Sequence, residues 1–374
     1  MGQYQLALDL NLEMLHHSGE LYGTVHKEYA LSLNMAGGVY YAGRNYDSAY
    51  RCFNEARKII SKTTGVNSPE YFNCLNNIAL IHMQHNANDS AAALLNRVRN
   101  YFKNKPAGQE AFIASTGNLA VVYMETGKYR EAEMLLKESL ELKKMLRGKE
   151  NKTGLTEKGL LFRLYMAQGD SRSAWKMLDT LNHDFTFTVS HAFPGLSEAG
   201  KTTYLEKHEW LNDYNNSLLW LDASLRNDLG ETAWNHHLLV KSASLADTRN
   251  MLEFIRQSPD SALCEKFADW METKRKLAYI YSHNDAQKDS ILHSLLSRAE
   301  ALERDLNLLS ADFRIPGQPA APPIRDIQHK MDEDEALIEF VRFNLYNKNW
   351  SDSTVYAAYI LTKKDPAPVF VPLF

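Results

Sequence analysis

Five alanines, Ala7, Ala49, Ala91, Ala132 and Ala174, recur at intervals of 42, 42, 41 and 42 residues. A fixed period in that range marks stacked structural repeats and constrains the fold more tightly than composition does. One repeated unit cannot bury its apolar face alone, so successive units must stack into an extended scaffold. Scaffolds of this kind usually bind other chains rather than perform chemistry.

The residues around each alanine define the unit. A glycine stands five before it in three copies (Gly2, Gly127, Gly169) and six before it in another (Gly43); a tyrosine stands three before it at Tyr4, Tyr46 and Tyr129. Apolar residues follow at +3, +4 and +7, the spacing of one helical face: Cys52, Phe53 and Ala56; Leu94, Leu95 and Val98; Leu135 and Leu136; Met177, Leu178 and Leu181. Glycine suits a helix C-terminus that needs positive φ. The small alanine lets two helices approach, where bulk would overpack by about 1–3 kcal/mol. Upstream lies a second helix marked Asn-apolar-Ala: Asn34-Met35-Ala36, Asn77-Ile78-Ala79 and Asn118-Leu119-Ala120. A fourth copy, Leu160 to Leu181, keeps the turn and lacks the asparagine, and the copy around Ala91 is degenerate, with His85, Asn86 and Asn88 at the glycine and tyrosine positions.

Helix, glycine turn and helix at this spacing resemble the tetratricopeptide repeat, in the 42-residue form of kinesin-light-chain-like arrays, over residues 1–182. The resemblance implies that the first helix of each unit lines a concave groove and that its asparagine bonds a peptide backbone. Carried onto this chain, it implies a groove of Asn34, Asn77 and Asn118 with Tyr41, Gln84 and Glu125, beside Gly38, Ile81 and Val122 on the same faces. An asparagine offers both donor and acceptor, which suits an extended peptide. The alternative is that each asparagine bonds its own neighbouring loops.

The 374 residues carry a net charge of −4 with a pI near 6.4, so no basic footprint points to nucleic acid. Cys52, Cys74 and Cys264 form no paired framework, which favours a reducing, cytoplasmic setting. No apolar run approaches the roughly 18 residues of a membrane span. Gly2–Ala7 corresponds to the middle of a repeat, and Pro368–Phe374 is an apolar strand-like run. The expectation is therefore a piece of a longer protein, whose missing start would have held any targeting signal.

Beyond the repeats, Phe185-Thr186-Phe187-Thr188-Val189 alternates like a strand. Residues 183–315 otherwise read as a helical spacer. Two seams within it, Leu263, Phe267, Trp270, Lys274, Leu277, Tyr281 and Leu292, Leu295, Ala299, Leu302, Leu306, Leu309, predict a long antiparallel hairpin turning at His283–Ala286. A proline-rich linker, 316–323, cannot continue a helix. Then come a short helix from Ile324 to Lys330, the acidic turn Asp332–Glu335 and three strands, Ala336–Phe343, Thr354–Leu361 and Val369–Phe374, with a turn-like stretch at Asn344–Asp352. The expected fold is mostly α: a repeat solenoid, a helical spacer with a hairpin, and strands opening an incomplete α/β domain over 324–374.

Tyr204–His208, the Asn215–Leu219 helix, Asp334–Phe343, Tyr356–Tyr359 and Val369–Leu373 resemble the region before and at the start of a CHAT domain. CHAT domains are caspase- and separase-like cysteine peptidases that follow tetratricopeptide arrays. Their catalytic His and Cys lie downstream of these strands, and the chain has no such positions. Cys52, Cys74 and Cys264 sit in helices and read as structural thiols, so no catalytic residue is expected in this chain. The resemblance implies a regulated cysteine peptidase only for a protein that continues past Phe374.

Gly195-Leu196-Ser197-Glu198-Ala199-Gly200-Lys201-Thr202 satisfies the phosphate-loop pattern G-x-x-x-x-G-K-[ST]. Its helical surroundings lack a βαβ unit, and Ser197-Glu198 reads instead as a helix N-cap, which commits those N–H groups to the helix. The histidines His16, His17, His82, His85, His236 and His237 lack a third ligand at metal spacing. Trp210, Trp220, Trp234 and Trp270 read as core anchors. No cofactor or metal is expected. The partner expected is a protein or peptide in the repeat groove, and the function expected is a protein-interaction scaffold.

Overall fold

A computed structural model describes residues 2–147, 154–193, 196–283, 289–311 and 323–373. Contacts divide the chain into two compact units, Met1–Leu164 and Tyr165–Phe374.

The first unit holds α1 (Gly2–Tyr22), α2 (Lys27–Ala42), α3 (Tyr46–Thr63), α4 (Pro69–Gln84), α5 (Asn88–Phe102), α6 (Gln109–Glu125), α7 (Tyr129–Arg147) and the start of α8 (Leu155–Gln168). From α1 to α7 each helix packs on its successor, and α4 also meets both α2 and α6, which is a tetratricopeptide-like solenoid. The period has a plain cause. Ala49, Ala91 and Ala132 are wholly buried, so a larger side chain has no room at any of the three. Ala7, on the first helix, is only half-buried.

The turn between paired helices repeats bond for bond. Asn45 N–H donates to the carbonyl of Tyr40, Ala87 to His82, Lys128 to Tyr123 and Asp170 to Tyr165. The residue just before each of these donors lies in the left-handed region: Arg44 (φ 59°), Asn86 (56°), Gly127 (74°) and Gly169 (77°). These are Schellman-type ends, in which left-handed backbone closes the last helical carbonyls. The left-handed residue thus stands five before the alanine in the copies of Ala49, Ala91, Ala132 and Ala174, while Gly2, five before Ala7, lies in α1. Gly43 is not the turn residue: it has φ −79°, and a β-carbon there would lie 2.2 Å from the Tyr4 ring. The copy around Ala91 keeps the turn because asparagine tolerates this conformation.

The second unit begins with the remainder of α8 and with α9 (Ser171–Ala192), followed by α10 (Glu198–Lys207), α11 (Glu209–Leu221), α12 (Arg226–Gln257), α13 (Ser261–His283), α14 (Asp289–Ala311) and α15 (Ile324–Gln328). The strand-like alternation at Phe185–Val189 lies inside α9, a correction with a clear cause. Phe185 and Val189, four residues apart, are both buried, and the threonine hydroxyls bond back to the helix, Thr186 to the Asn182 carbonyl at 2.9 Å and Thr188 to that of Asp184 at 2.8 Å. The hairpin of α13 and α14 forms as expected, around Leu263, Trp270 and Leu306 with Ile255, and Arg298 clasps Asp269 across it at 2.8 Å. Asn284–Ala286 of its expected turn, and residues 316–322 of the linker, lie outside the described residues.

Strands β1 (Ala336–Asn347), β2 (Asn349–Thr362) and β3 (Val369–Pro372) form one antiparallel sheet in the order β1-β2-β3. The expected turn-like stretch at Asn344–Asp352 is strand except at Lys348, whose φ of 64° makes the hairpin reversal. An irregularity between Asn344 and Tyr346 shifts the register and buries the Tyr346 side chain. The sheet is held by a buried polar stripe on α11. Asp213 accepts from the Asn344 backbone N–H at 3.1 Å, Ser217 from that of Tyr346 at 2.9 Å, and Asn216 from the Tyr359 hydroxyl at 2.7 Å. Burial pushes the Asp213 carboxyl above its ordinary range, against the lowering effect of the Asn344 backbone and side-chain donors.

Candidate functional site

The three first helices α2, α4 and α6 bring the expected groove residues into a bonded series. The Asn77 side-chain amide donates to the Asn34 carbonyl oxygen at 3.0 Å, and Gln84 donates to the Tyr41 hydroxyl at 3.0 Å, both across 43 residues. Lys27 and Glu70 add an ion pair at the same offset, with N to O at 2.5 Å. That pair raises the ammonium and lowers the carboxyl relative to their ordinary values. Partial burial pushes the Tyr41 phenol up. Asn118 does not reach Asn77; it donates to Asn76 at 3.3 Å.

The asparagines therefore bond to one another between repeats rather than to their own loops. Asn76 is the member that the triplet pattern passes over. Its signal was present: it stands 42 residues after Asn34 and 42 before Asn118. The series uses only part of each amide's capacity. Asn34 keeps its N–H2 donors, and Asn118 keeps its carbonyl oxygen. Asn34, Tyr41, Asn76, Asn77 and Asn118 are half-buried, Gln84, Glu125 and Gly38 are exposed, and Met35 is an exposed apolar neighbour at 54%. Ile81 and Val122 are buried at 2% and 1%, so they pack the core and do not line this face.

The remaining motifs resolve simply. Ser197 caps α10 by accepting from the Gly200 N–H at 3.2 Å, and Lys201 is wholly buried, so the described residues of this segment, 196–202, present no phosphate cradle. Trp234 and Trp270 are core residues, while Trp210 and Trp220 are half-buried against Tyr214 and Phe343. Burial pushes the Cys74 thiol up to about 12 and raises that of Cys52, which leaves neither as a ready thiolate; Cys264 is exposed. No group of three metal-ligating side chains occurs among the described residues, and no helix among them is long and apolar enough to cross a membrane.

Two family models match the chain, both described as tetratricopeptide repeat, over residues 28–104 and 112–151. These segments are tetratricopeptide repeats. No curated protein matches the sequence. Among solved structures, the chain is similar to a Podosopora anserina kinesin-light-chain-type protein with nearly identical TPR-like repeats, at 21% identity over 50% of this chain and 89% of that one, with a TM-score of 0.40. It is similar to BtubC (BKLC) from P. vanneervenii, at 20% identity over 49% and 73%, with a TM-score of 0.42. It is also similar to the Rap conjugation gene regulator of plasmid pLS20 in complex with the Phr* peptide, at 13% identity over 78% and 77%, with a TM-score of 0.41.

Proposed function

We propose that this chain is a protein-interaction scaffold whose α2/α4/α6 face holds an extended peptide along Asn34, Tyr41, Asn77, Gln84, Asn118 and Glu125, with Asn76 among them. The observation that carries this reading is the repetition of polar rungs at one offset, Asn77 on Asn34 and Gln84 on Tyr41. A ladder with spare donors and acceptors at a regular rise matches the regular amides of an extended backbone. Selection of displayed random peptides on the immobilised chain tests it. The selected peptides should bind the Asn77→Ala/Asn118→Ala variant about tenfold more weakly while the variant loses no more than about 1–2 kcal/mol of stability. Unchanged binding removes this face from consideration.

The resemblance of the C-terminal segment to a CHAT opening gives a second, finer reading: a scaffold over 1–182 and a spacer over 183–315 that present a peptidase-type domain beginning near 324, in a cytoplasmic protein. It is supported by strands at the expected places, paired in sequence order. Under this reading the chain turns over no peptide substrate by itself. Thiol-dependent cleavage of a fluorogenic peptide panel by the purified chain would contradict it.

A further inference from the structure

In the second unit, α9, α12, α15 and the β2–β3 connection enclose a cleft of about 910 Å³. A cleft of that size accommodates a small ligand or a few residues of a peptide. Its rim carries Asp179 and Glu231, both exposed, and Arg325 is the single Lys or Arg among the described residues of the lining. Deeper in the lining stands His236, 2% exposed, with its ring 5.0 Å from that of Phe185.

Neither ring nitrogen of His236 has a hydrogen-bond partner. Two other polar residues of the lining are satisfied: Asn182 exchanges amide bonds with buried Asn215 at 2.8 and 2.9 Å, and half-buried Gln328 donates to the carbonyls of Thr362 and Asp365; outside the lining, the buried Trp234 indole N–H is also unpaired. A buried polar group that lines a cleft and has no partner within the chain can take one from a ligand that enters the cleft. Burial holds this imidazole neutral at physiological pH, so the ring offers one N–H donor and one acceptor nitrogen.

We propose that this cleft is a second binding site, separate from the repeat face, that takes a basic residue of a peptide, its cationic head against Asp179 and Glu231 and its amide on His236. An amide supplies both an acceptor and a donor, which is what the neutral ring lacks. Two rim carboxylates disfavour an anion and favour a cation.

The probe is acetyl-arginine-amide, titrated into the full 374-residue chain with 15N-labelled histidines and followed by long-range 1H–15N spectra and calorimetry. The expected result is one saturable shift of a buried, neutral imidazole, with affinity about fivefold weaker in Glu231→Gln and weaker again in Asp179→Asn/Glu231→Gln. Acetyl-glutamate-amide should give no saturable shift. His236→Asn should lose the shifting signal; should that variant fail to fold, the exposed Asp179 and Glu231 substitutions carry the test. No saturable histidine shift, equal binding of the two amides, or equal affinity in the double charge variant overturns the proposal.

Discussion

The edge of the Phe53 ring lies 2.6 Å from where a β-carbon on Gly37 would stand, with the Cys52 β-carbon 3.2 Å from the same point. The next residue, Gly38, faces open space, with nothing within 4 Å. A mid-helix pair of glycines thus has two different physical meanings, and they predict opposite signs. Gly37→Ala should destabilise by about 1–3 kcal/mol, because buried Phe53 has no free volume to move into. Gly38→Ala should stabilise by about 1 kcal/mol through helix propensity alone. Urea unfolding of both variants checks the pair.

The repeated turn gives a second contrast. Arg44 and Gly127 occupy equivalent left-handed positions, at φ 59° and 74°. Arg44→Gly should raise stability by about 1 kcal/mol and Gly127→Ala lower it by a similar amount, since a β-carbon strains this conformation. Thermal melts of the two variants should therefore move in opposite directions.

Thiol chemistry should separate the three cysteines. Exposed Cys264 should react fastest with iodoacetamide at pH 8, half-buried Cys52 more slowly, and Cys74, with its thiol pushed up to about 12, least of all in the folded chain. Peptide mass spectrometry after timed labelling reads the order directly.

His236 predicts a pH dependence. Burial lowers its imidazole from 6.5 to about 3, so the unfolded chain binds a proton that the folded chain refuses. Its stabilising contribution is complete above about pH 6.5 and is lost as pH falls through that value toward 3. The limiting slope is about 1.4 kcal/mol per pH unit. Denaturant titrations between pH 7 and 5 should show this loss, and His236→Phe should make it shallower.

The helical pairs were legible because a fixed period writes the same packing constraint several times, and Ala49, Ala91 and Ala132 each meet it with no exposed surface. The turn was legible in type but misplaced at Gly43, because a glycine can be required by a covering ring, here that of Tyr4, as well as by a positive φ. Period-two alternation misled at Phe185–Val189, where threonines that bond back to the helix imitate a strand's polar face. The register change at Asn344–Tyr346 depends on partners on α11, more than a hundred residues away, and no local pattern encodes it. At the candidate face the triplet motif led to Asn77, while the bonding to Asn118 runs through Asn76.

The most direct measurement is photocrosslinking of a selected peptide from single benzophenone labels on two exposed positions, Gln84 on α4 and Arg97 on α5. The account predicts crosslinks from position 84 that excess unlabelled peptide abolishes, and none from position 97. Crosslinking from position 97 alone, or equally from both, would place the bound peptide elsewhere and contradict the claim that the asparagine-bearing helices hold it.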